Sequence, residues 1–403
     1  MKEVILFVVG AILIAILGAA LFITFRQARA AATAERKWQS AHVEPLKDFG
    51  STSRLEILPV YEEAGDQNLY QIGHGVSYLI KTDSATILMD IGNNPTEADV
   101  APLLLNMQAL SVSWDQIDAV IISHFHPDHV GGAEAWKAGK VSLGKEVVDS
   151  PGKPVYTPSK FDFPGVSPTL LPDPSVLGPG MATIGTIDYG ETYPISLYTA
   201  EGAEQVLAVN VAGKGIVLIM GCGHPTIEKI IARAEVLFEQ PVVGVVGGFH
   251  YEGQSAQDVQ PHIEFLQVRS LLLVAPSPHD SSPEALLAFR SAFERIPRNP
   301  GGNSDNVSGS LKQGCGEPPR YEGSEENAKG GRPPEAQALL DGEVSRRCPK
   351  KNSGLICLTG LNRGAPANKF AAKGSQNPAF AGFNLSEGEP HRQFPLRQWS
   401  ARP

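Results

Sequence analysis

Residues 121–132 read IISHFHPDHVGG, and four side chains able to hold a metal fall within six positions: His124, His126, Asp128 and His129. The whole chain has only ten histidines. The apolar run before them, IDAVIISH, predicts a buried strand. Side chains alternate along an extended segment, so His124 and His126 leave the strand end on one side. Asp128 and His129 follow as the backbone turns, and Gly131–Gly132 permits a tight path into the next segment. Two ligands on one side and two beyond the bend suit two divalent ions that activate a shared hydroxide near neutral pH. Imidazole and carboxylate donors suit Zn²⁺, and Fe or Mn also fits. A lone histidine would read as a satisfied polar side chain or a surface loop. His-x-His-x-Asp-His at a strand exit, followed by Gly-Gly, reads as a metal site.

The elements that must position this cluster are short. LEILPVYE, GVSYLIKT and ATILMDIG are β-rich runs separated by turn residues. EADVAPLLLNMQAL has helical spacing. QVLAVNVAGKGIVLIMG reads as a hairpin turning at Ala-Gly-Lys-Gly. PTIEKIIARAEVLF is an amphipathic helix opened by Pro225 and Thr226. VVGVVGGF and SLLLVAP are strands flanking a short helix in VQPHIEFLQV. SPEALLAFRSAFERI is a helix with Ser282 as N-cap and Pro283 at its first position. Hairpin-style strands followed by alternating strands and helices imply a layered α/β domain, with sheet inside and helices outside.

Residues 4–25, VILFVVGAILIAILGAALFITF, carry no charge and match one bilayer thickness at helical rise. They read as a single-pass anchor, taken here as 1–28. The alternative is a signal peptide cut at Ala28-Arg29-Ala30 and a secreted or periplasmic body. Arg26, Arg29, Arg36 and Lys37 follow the run and only Lys2 precedes it, which places the body on the cytoplasmic side. Residues 29–54 read as a polar, partly helical linker, and 55–297 as the folded domain. From residue 298 to 403 Gly, Pro, Ser and Asn dominate without an apolar period, and a disordered tail is expected. Two apolar pieces there, SGLICLTGL and AFAGFNL, lack the content for a core.

The formal charge of −9 is uneven: from Arg298 on there are about 15 Lys and Arg against about 10 Asp and Glu, leaving roughly −14 on the rest. An acidic body argues against a nucleic-acid partner, which needs excess Lys and Arg along its groove. A small-molecule substrate and a membrane remain the expected partners. The four cysteines, Cys222, Cys315, Cys348 and Cys357, form no CxxC pair and no disulfide framework.

SHFHPDHVGG resembles the metal-binding signature of the metallo-β-lactamase fold superfamily. ILMDIG resembles the strand that carries a structural aspartate in that fold, here Asp90. HGVSYLI, GCGHP, GGFH and a late His after Pro resemble the branch of dihydropterin–ribofuranosylaminobenzene phosphate synthase-like proteins, over about residues 55–295. The resemblance implies an αββα sandwich with metals at one edge of the sheets. It implies His124, His126 and His224 on one ion, and Asp128, His129 and His279 on the other. With only one metal bound, Asp128 would assist protonation instead. Many relatives have a bridging Asp where this chain has Gly221-Cys222, so Cys222 stands as ligand, supporting thiol or buried spectator. The branch has His-Cys-Thr-Gly where this chain has His279-Asp280-Ser281-Ser282, which puts substrate choice in doubt.

His250 ends an apolar strand. It reads as a site residue that contacts substrate, orients a ligand or donates a proton, with a core histidine as the alternative. His74 is a turn or a pocket residue, and His42, His262 and His391 read as surface. Three functions follow. The leading expectation is a membrane-anchored metallo-hydrolase that directs a metal-activated hydroxide at a small ester-type substrate, phosphorylated or not. The others are a synthase joining a pterin to an aminobenzene ribofuranosyl phosphate, and a non-catalytic metal-holding membrane protein.

Overall fold

The strand Gly215–Met220 shows how the sequence builds layers. Ile216, Leu218 and Met220 face one apolar layer and Val217 and Ile219 the other, so an unbroken apolar run becomes a strand buried on both faces. Thr86–Met89 does the same, with Ile87 and Met89 on one side and Leu88 on the other. The computed structural model describes residues 2–145 and 152–293, with the backbone of 356–359 and 383–386.

One sheet contains β1 (Arg54–Tyr61), β2 (Ser77–Lys81), β3 (Thr86–Met89), β4 (Ala119–Ile121), β5 (Val155–Thr157) and β6 (Thr169–Leu170). They lie in that order, antiparallel from β1 to β3 and parallel from β3 to β6. The second sheet contains β7 (Ser175–Gly178), β8 (Met181–Gly190), β9 (Glu201–Val211), β10 (Gly215–Met220), β11 (Val242–Gly247) and β12 (Leu273–Pro276). β7 to β10 are antiparallel, and β10 to β12 parallel. The β9–β10 hairpin turns at 212–214, as the glycines there lead one to expect.

The two sheets face each other across Ile57, Ile80, Met89, Leu207 and Ile219. α2 (Pro102–Ala109) and α3 (Ala133–Lys137) cover the first sheet through Leu103, Met107 and Trp136. α4 (Ile227–Leu237), α5 (Gln260–Gln267) and α6 (Pro283–Phe293) cover the second through Ile231, Leu266 and Phe289. The result is the four-layer αββα sandwich. Ser282 caps α6, its Oγ accepting from the backbone of Ala285 at 3.2 Å.

Two segments differ from expectation. Of the residues read as a polar, partly helical linker, 29–40 continue α1 (Lys2–Ser40) without a break. Ala30 and Ala34 are buried, and an added Cβ at Gly190 of β8 would stand 2.7 Å from the Ala31 nitrogen. Small residues on both sides let the helix lie directly on the strand. Gln27 donates to Ser196 at 2.9 Å, Lys37 to Asp188 at 2.8 Å, and Lys229 to Glu35 at 2.7 Å. Within the tail expected to be disordered, two strands extend the first sheet past β1: β13 (Ile356–Thr359) and β14 (Phe383–Ser386). β14 pairs antiparallel with β1, Leu55 opposite Leu385, and gives that edge strand a partner. The other tail residues lie outside the described residues.

Candidate metal centre

β1, β3, β4, β8, β10, β11 and β12 all end at one edge of the sandwich. The loops beyond them carry Glu62, Asp90, His124–His129, Glu191, Cys222–His224, His250 and His279–Asp280. The β4 exit is set by Asp90, fully buried just past β3. Its carboxylate accepts from the Ser123 backbone at 2.6 Å, from Ser123 Oγ at 2.7 Å and from His129 Nδ1 at 2.8 Å. His129 Nε2 is thereby aimed inward, 3.0 Å from Cys222 Sγ and 3.3 Å from Asp128 Oδ2. Gly131 permits the bend: its φ is +90°, and a Cβ there would stand 1.9 Å from the Ser142 carbonyl oxygen.

The donors fall into two groups that meet at Cys222. In one, Asp128, His129, Cys222 and His279 offer ligand atoms within 4.8 Å of one another, all buried. His279 Nε2 stands 3.0 Å from Asp128 Oδ2 and 3.4 Å from Cys222 Sγ. In the other, His124 and His224 bring their Nε2 atoms to 3.2 Å and include Cys222. His126 is drawn aside. Its ring lies 4.5 Å from that of His124 and 4.8 Å from that of His224, but its Nε2 is 3.0 Å from both oxygens of Glu191. His250 and Asp280 complete a third group with His224, and His74 and Glu63 a fourth with His279. His74 is thus in the pocket, its Nε2 3.6 Å from Asp128 Oδ2.

Electrostatics sort these groups. Burial, reinforced by neighbouring imidazoles, holds His124 and His224 well below the ordinary histidine range, so both are neutral rings with a free lone pair. Burial alone would raise Asp128, but His129 and His279 outweigh it and keep the carboxylate ionised. Burial lowers His129, but Asp128 and Asp90 push it up to about 10. Burial and then the carboxylates of Asp280 and Asp128 push the Cys222 thiol up. His279 and His74 hold Glu63 down to about 2. The neutral imidazoles of His124 and His224, the ionised Asp128 and the Cys222 thiol converge in a buried volume. With His129 and His279, which carboxylates hold protonated and which would release their protons on binding, they make a donor set that fits divalent cations. Asp128, His129, Cys222 and His279 would hold one, and His124 and His224 with Cys222 a second.

Several site residues carry no local sequence signal. Glu204 of β9, fully buried, accepts from the backbone of Cys222 at 3.1 Å, Gly223 at 2.9 Å and His224 at 2.8 Å. Glu62 accepts from Ser277 Oγ at 2.7 Å and from the His279 backbone at 3.2 Å. Tyr189 stacks on His224 at 4.4 Å, and its hydroxyl lies 3.4 Å from His126 Nε2. Asp280, noted in the sequence only as a departure from pattern, sits between His279 and His250 at 3.5 and 3.4 Å.

Fold and site together define a metallo-β-lactamase sandwich with a candidate metal centre at its strand-end edge. Residues 71–142 match the model of the metallo-beta-lactamase superfamily. It is 28% identical over 240 residues to the 7,8-dihydropterin-6-methyl-4-(beta-D-ribofuranosyl)-aminobenzene-5'-phosphate synthase of Methanocaldococcus jannaschii, covering 51% of this chain and 80% of that one. A solved metal-dependent hydrolase of the beta-lactamase superfamily aligns over 59% of this chain and 93% of its own, at 19% identity and TM-score 0.41. A metallo-beta-lactamase fold protein from Bacillus subtilis aligns over 60% of this chain and 93% of its own, at 12% identity and TM-score 0.35.

Proposed function

We propose that the protein is a membrane-anchored metallo-hydrolase that cleaves a small ester-type substrate. The observation that carries this is the pair of donor groups sharing Cys222 Sγ, buried except for the half-buried His224, each with its ligand atoms within 4.8 Å. A pair of divalent ions held there would supply Lewis-acid polarisation and a water acidic enough to lose its proton near neutral pH. His124, His129, His224 and His279 present ring nitrogens to that volume, and Asp128 and Cys222 balance the charge. His250 is placed for the proton the leaving group needs. Its side chain is 36% exposed and its Nδ1 lies 3.4 Å from Asp280. Burial lowers its pKa, but Asp280 outweighs burial, so the ring stays protonated to higher pH than a free imidazole. Water adds to the acyl carbon or phosphorus, the ester oxygen departs, and that oxygen takes the proton. α1 supports anchoring: it has the length and composition to cross a bilayer, and none of its most apolar stretch is buried. The excess of Lys and Arg after the apolar run favours a body on the cytoplasmic side.

The test is metal content and turnover of the full chain. Elemental mass spectrometry is expected to find two metals per chain, at least one of them lost in His124→Ala. Hydrolysis of a phosphodiester and lactone panel should be lost with them. A folded chain that takes up no Zn²⁺, Mn²⁺ or Fe²⁺ would sink the reading. The 28% identity to the synthase favours a second one, joining a pterin to an aminobenzene ribofuranosyl phosphate. Product formation from those two substrates, with no hydrolysis of the panel, would select it.

A further inference from the structure

The segment between β8 and β9 runs beside α1 and presents large apolar side chains to solvent. Tyr193 is 69% exposed, Leu197 46% and Tyr198 65%. Its single turn of 3-10 helix, Ile195–Leu197, is tied to the anchor by the bond from Gln27 to Ser196. Gln27 lies two residues past Phe25, where the apolar run ends, which is about 3 Å along a helix axis. If residues 4–25 span a bilayer, this loop stands at its surface. Tyrosines are favoured there, with an apolar ring and a wet hydroxyl.

Behind the loop lies a cavity of about 600 Å³. Its apolar wall is Phe125, Trp136 and Tyr198, with Trp136 donating to the Phe125 carbonyl and packed edge-on to Tyr198 at 5.1 Å. Its inner end is Tyr189 and Glu191, which touch His224 and His126 of the metal centre. At its rim, Asp188 and Glu201 are both engaged by Lys37 of α1, at 2.8 and 3.3 Å. Lys37 is about 18 Å along the helix from Phe25. The cavity therefore lies within about 20 Å of where the bilayer would end, and Asp188 and Glu201 at its rim already share a cationic partner in Lys37. An aromatic wall of this size suits an acyl or aryl chain.

We propose that the 192–199 loop rests on the bilayer surface and that the cavity behind it loads a single-chain amphiphile, placing its ester head at the histidine cluster. This rests on the anchored-hydrolase reading and names its substrate class. Diffusion in the membrane plane then delivers substrate to a mouth that the anchor fixes at the right height.

Two measurements on the full chain test it, and neither needs turnover. Cys315, Cys348 and Cys357 are replaced by Ser, and Tyr198→Cys or Val268→Cys is labelled with an environment-sensitive fluorophore. Val268, 82% exposed, follows α5 at the opposite edge of the sheets. In phosphatidylcholine–phosphatidylglycerol vesicles carrying a nitroxide high on the acyl chain, the label at 198 should shift blue and be quenched at least threefold more than the label at 268. Equal, water-like signals would overturn the docking. Dansyl-undecanoic acid should bind the detergent-solubilised chain, and Ser159→Trp, which narrows the cavity away from the histidines, should weaken binding at least tenfold. Absence of binding, or binding that Ser159→Trp leaves unchanged, would overturn the substrate class. A chain that passes both tests but hydrolyses nothing would sink the hydrolase reading alone.

Discussion

Glu62, Asp90 and Glu204 stand behind the candidate metal donors rather than among them. Each buried carboxylate holds one ligand loop: Asp90 the β4 exit, Glu204 the β10 exit and Glu62 the β12 exit. Hydrogen bonds from backbone N–H groups to a carboxylate are shorter and stronger than neutral ones. Glu204 accepts three such bonds from consecutive residues. Glu204→Gln keeps the shape but turns an NH₂ toward one of those donors. The expected outcome is a 10- to 100-fold loss of Zn²⁺ affinity, typical of changes to groups that orient ligands. A loss of about 1–3 kcal/mol in stability should accompany it. Chelator competition and urea unfolding measure the two; lowered stability with unchanged affinity would make Glu204 a fold residue only. The His-x-His-x-Asp-His cluster was legible because its members are neighbours on one strand exit. Glu204 and Glu62 were not, because their partners lie 18 to 20 and 215 to 217 positions away and nothing local marks a glutamate as buried. Cys222 was legible as a candidate, but its place between both donor groups appears only when β4, β10 and β12 meet.

The strands were readable for a related reason. Period-two burial in β3 and β10 writes itself into unbroken apolar runs, whereas the docking of α1 depends on Ala30, Ala34 and Gly190, small residues that carry no pattern. Charge pairs around that contact make its strength depend on pH. The hydrogen bond from Lys229 lowers Glu35 below its ordinary 4.5, and the one to Asp188 raises Lys37 above its ordinary 10.5. A depressed acid contributes fully above 4.5 and loses its contribution as pH falls through its lowered folded value. A raised lysine contributes fully below 10.5 and loses its contribution as pH rises through its raised value. Docking of residues 27–40 is therefore expected to be constant between those limits and to loosen on both sides. The effect is modest, because both pairs are partly exposed to solvent. The mobility of a spin label at Ala32→Cys, followed by electron paramagnetic resonance across pH, reads this directly. Loosening centred near neutral pH would contradict it.

At the scale of the molecule, the candidate ligands come from both halves of the sandwich. His124, Asp128 and His129 belong to the first sheet, and Cys222, His224 and His279 to the second. A cation held by both cross-links the sheets at the edge where their inner faces open, while Ile57, Met89, Leu207 and Ile219 join them behind. Without it, Asp128 and Asp280 face the histidines around them, and Asp280 the Cys222 thiol as well. Metal that binds the folded state alone stabilises it by mass action, by about 4 kcal/mol when free metal is 1,000 times its dissociation constant. For a body of this size that corresponds to a melting temperature higher by roughly 8–16 °C. Calorimetry of the full chain in detergent, at buffered free Zn²⁺ and after chelation, should show the body's transition climb with the logarithm of free Zn²⁺. Asp128→Asn, which removes the charge placed between His129 and His279, should flatten that slope and also lower the chelated transition, because it leaves buried imidazoles without their counter-charge. A transition insensitive to Zn²⁺ in the wild type would mean that the sheets are held by their apolar faces alone and that the converging donors do not bridge them.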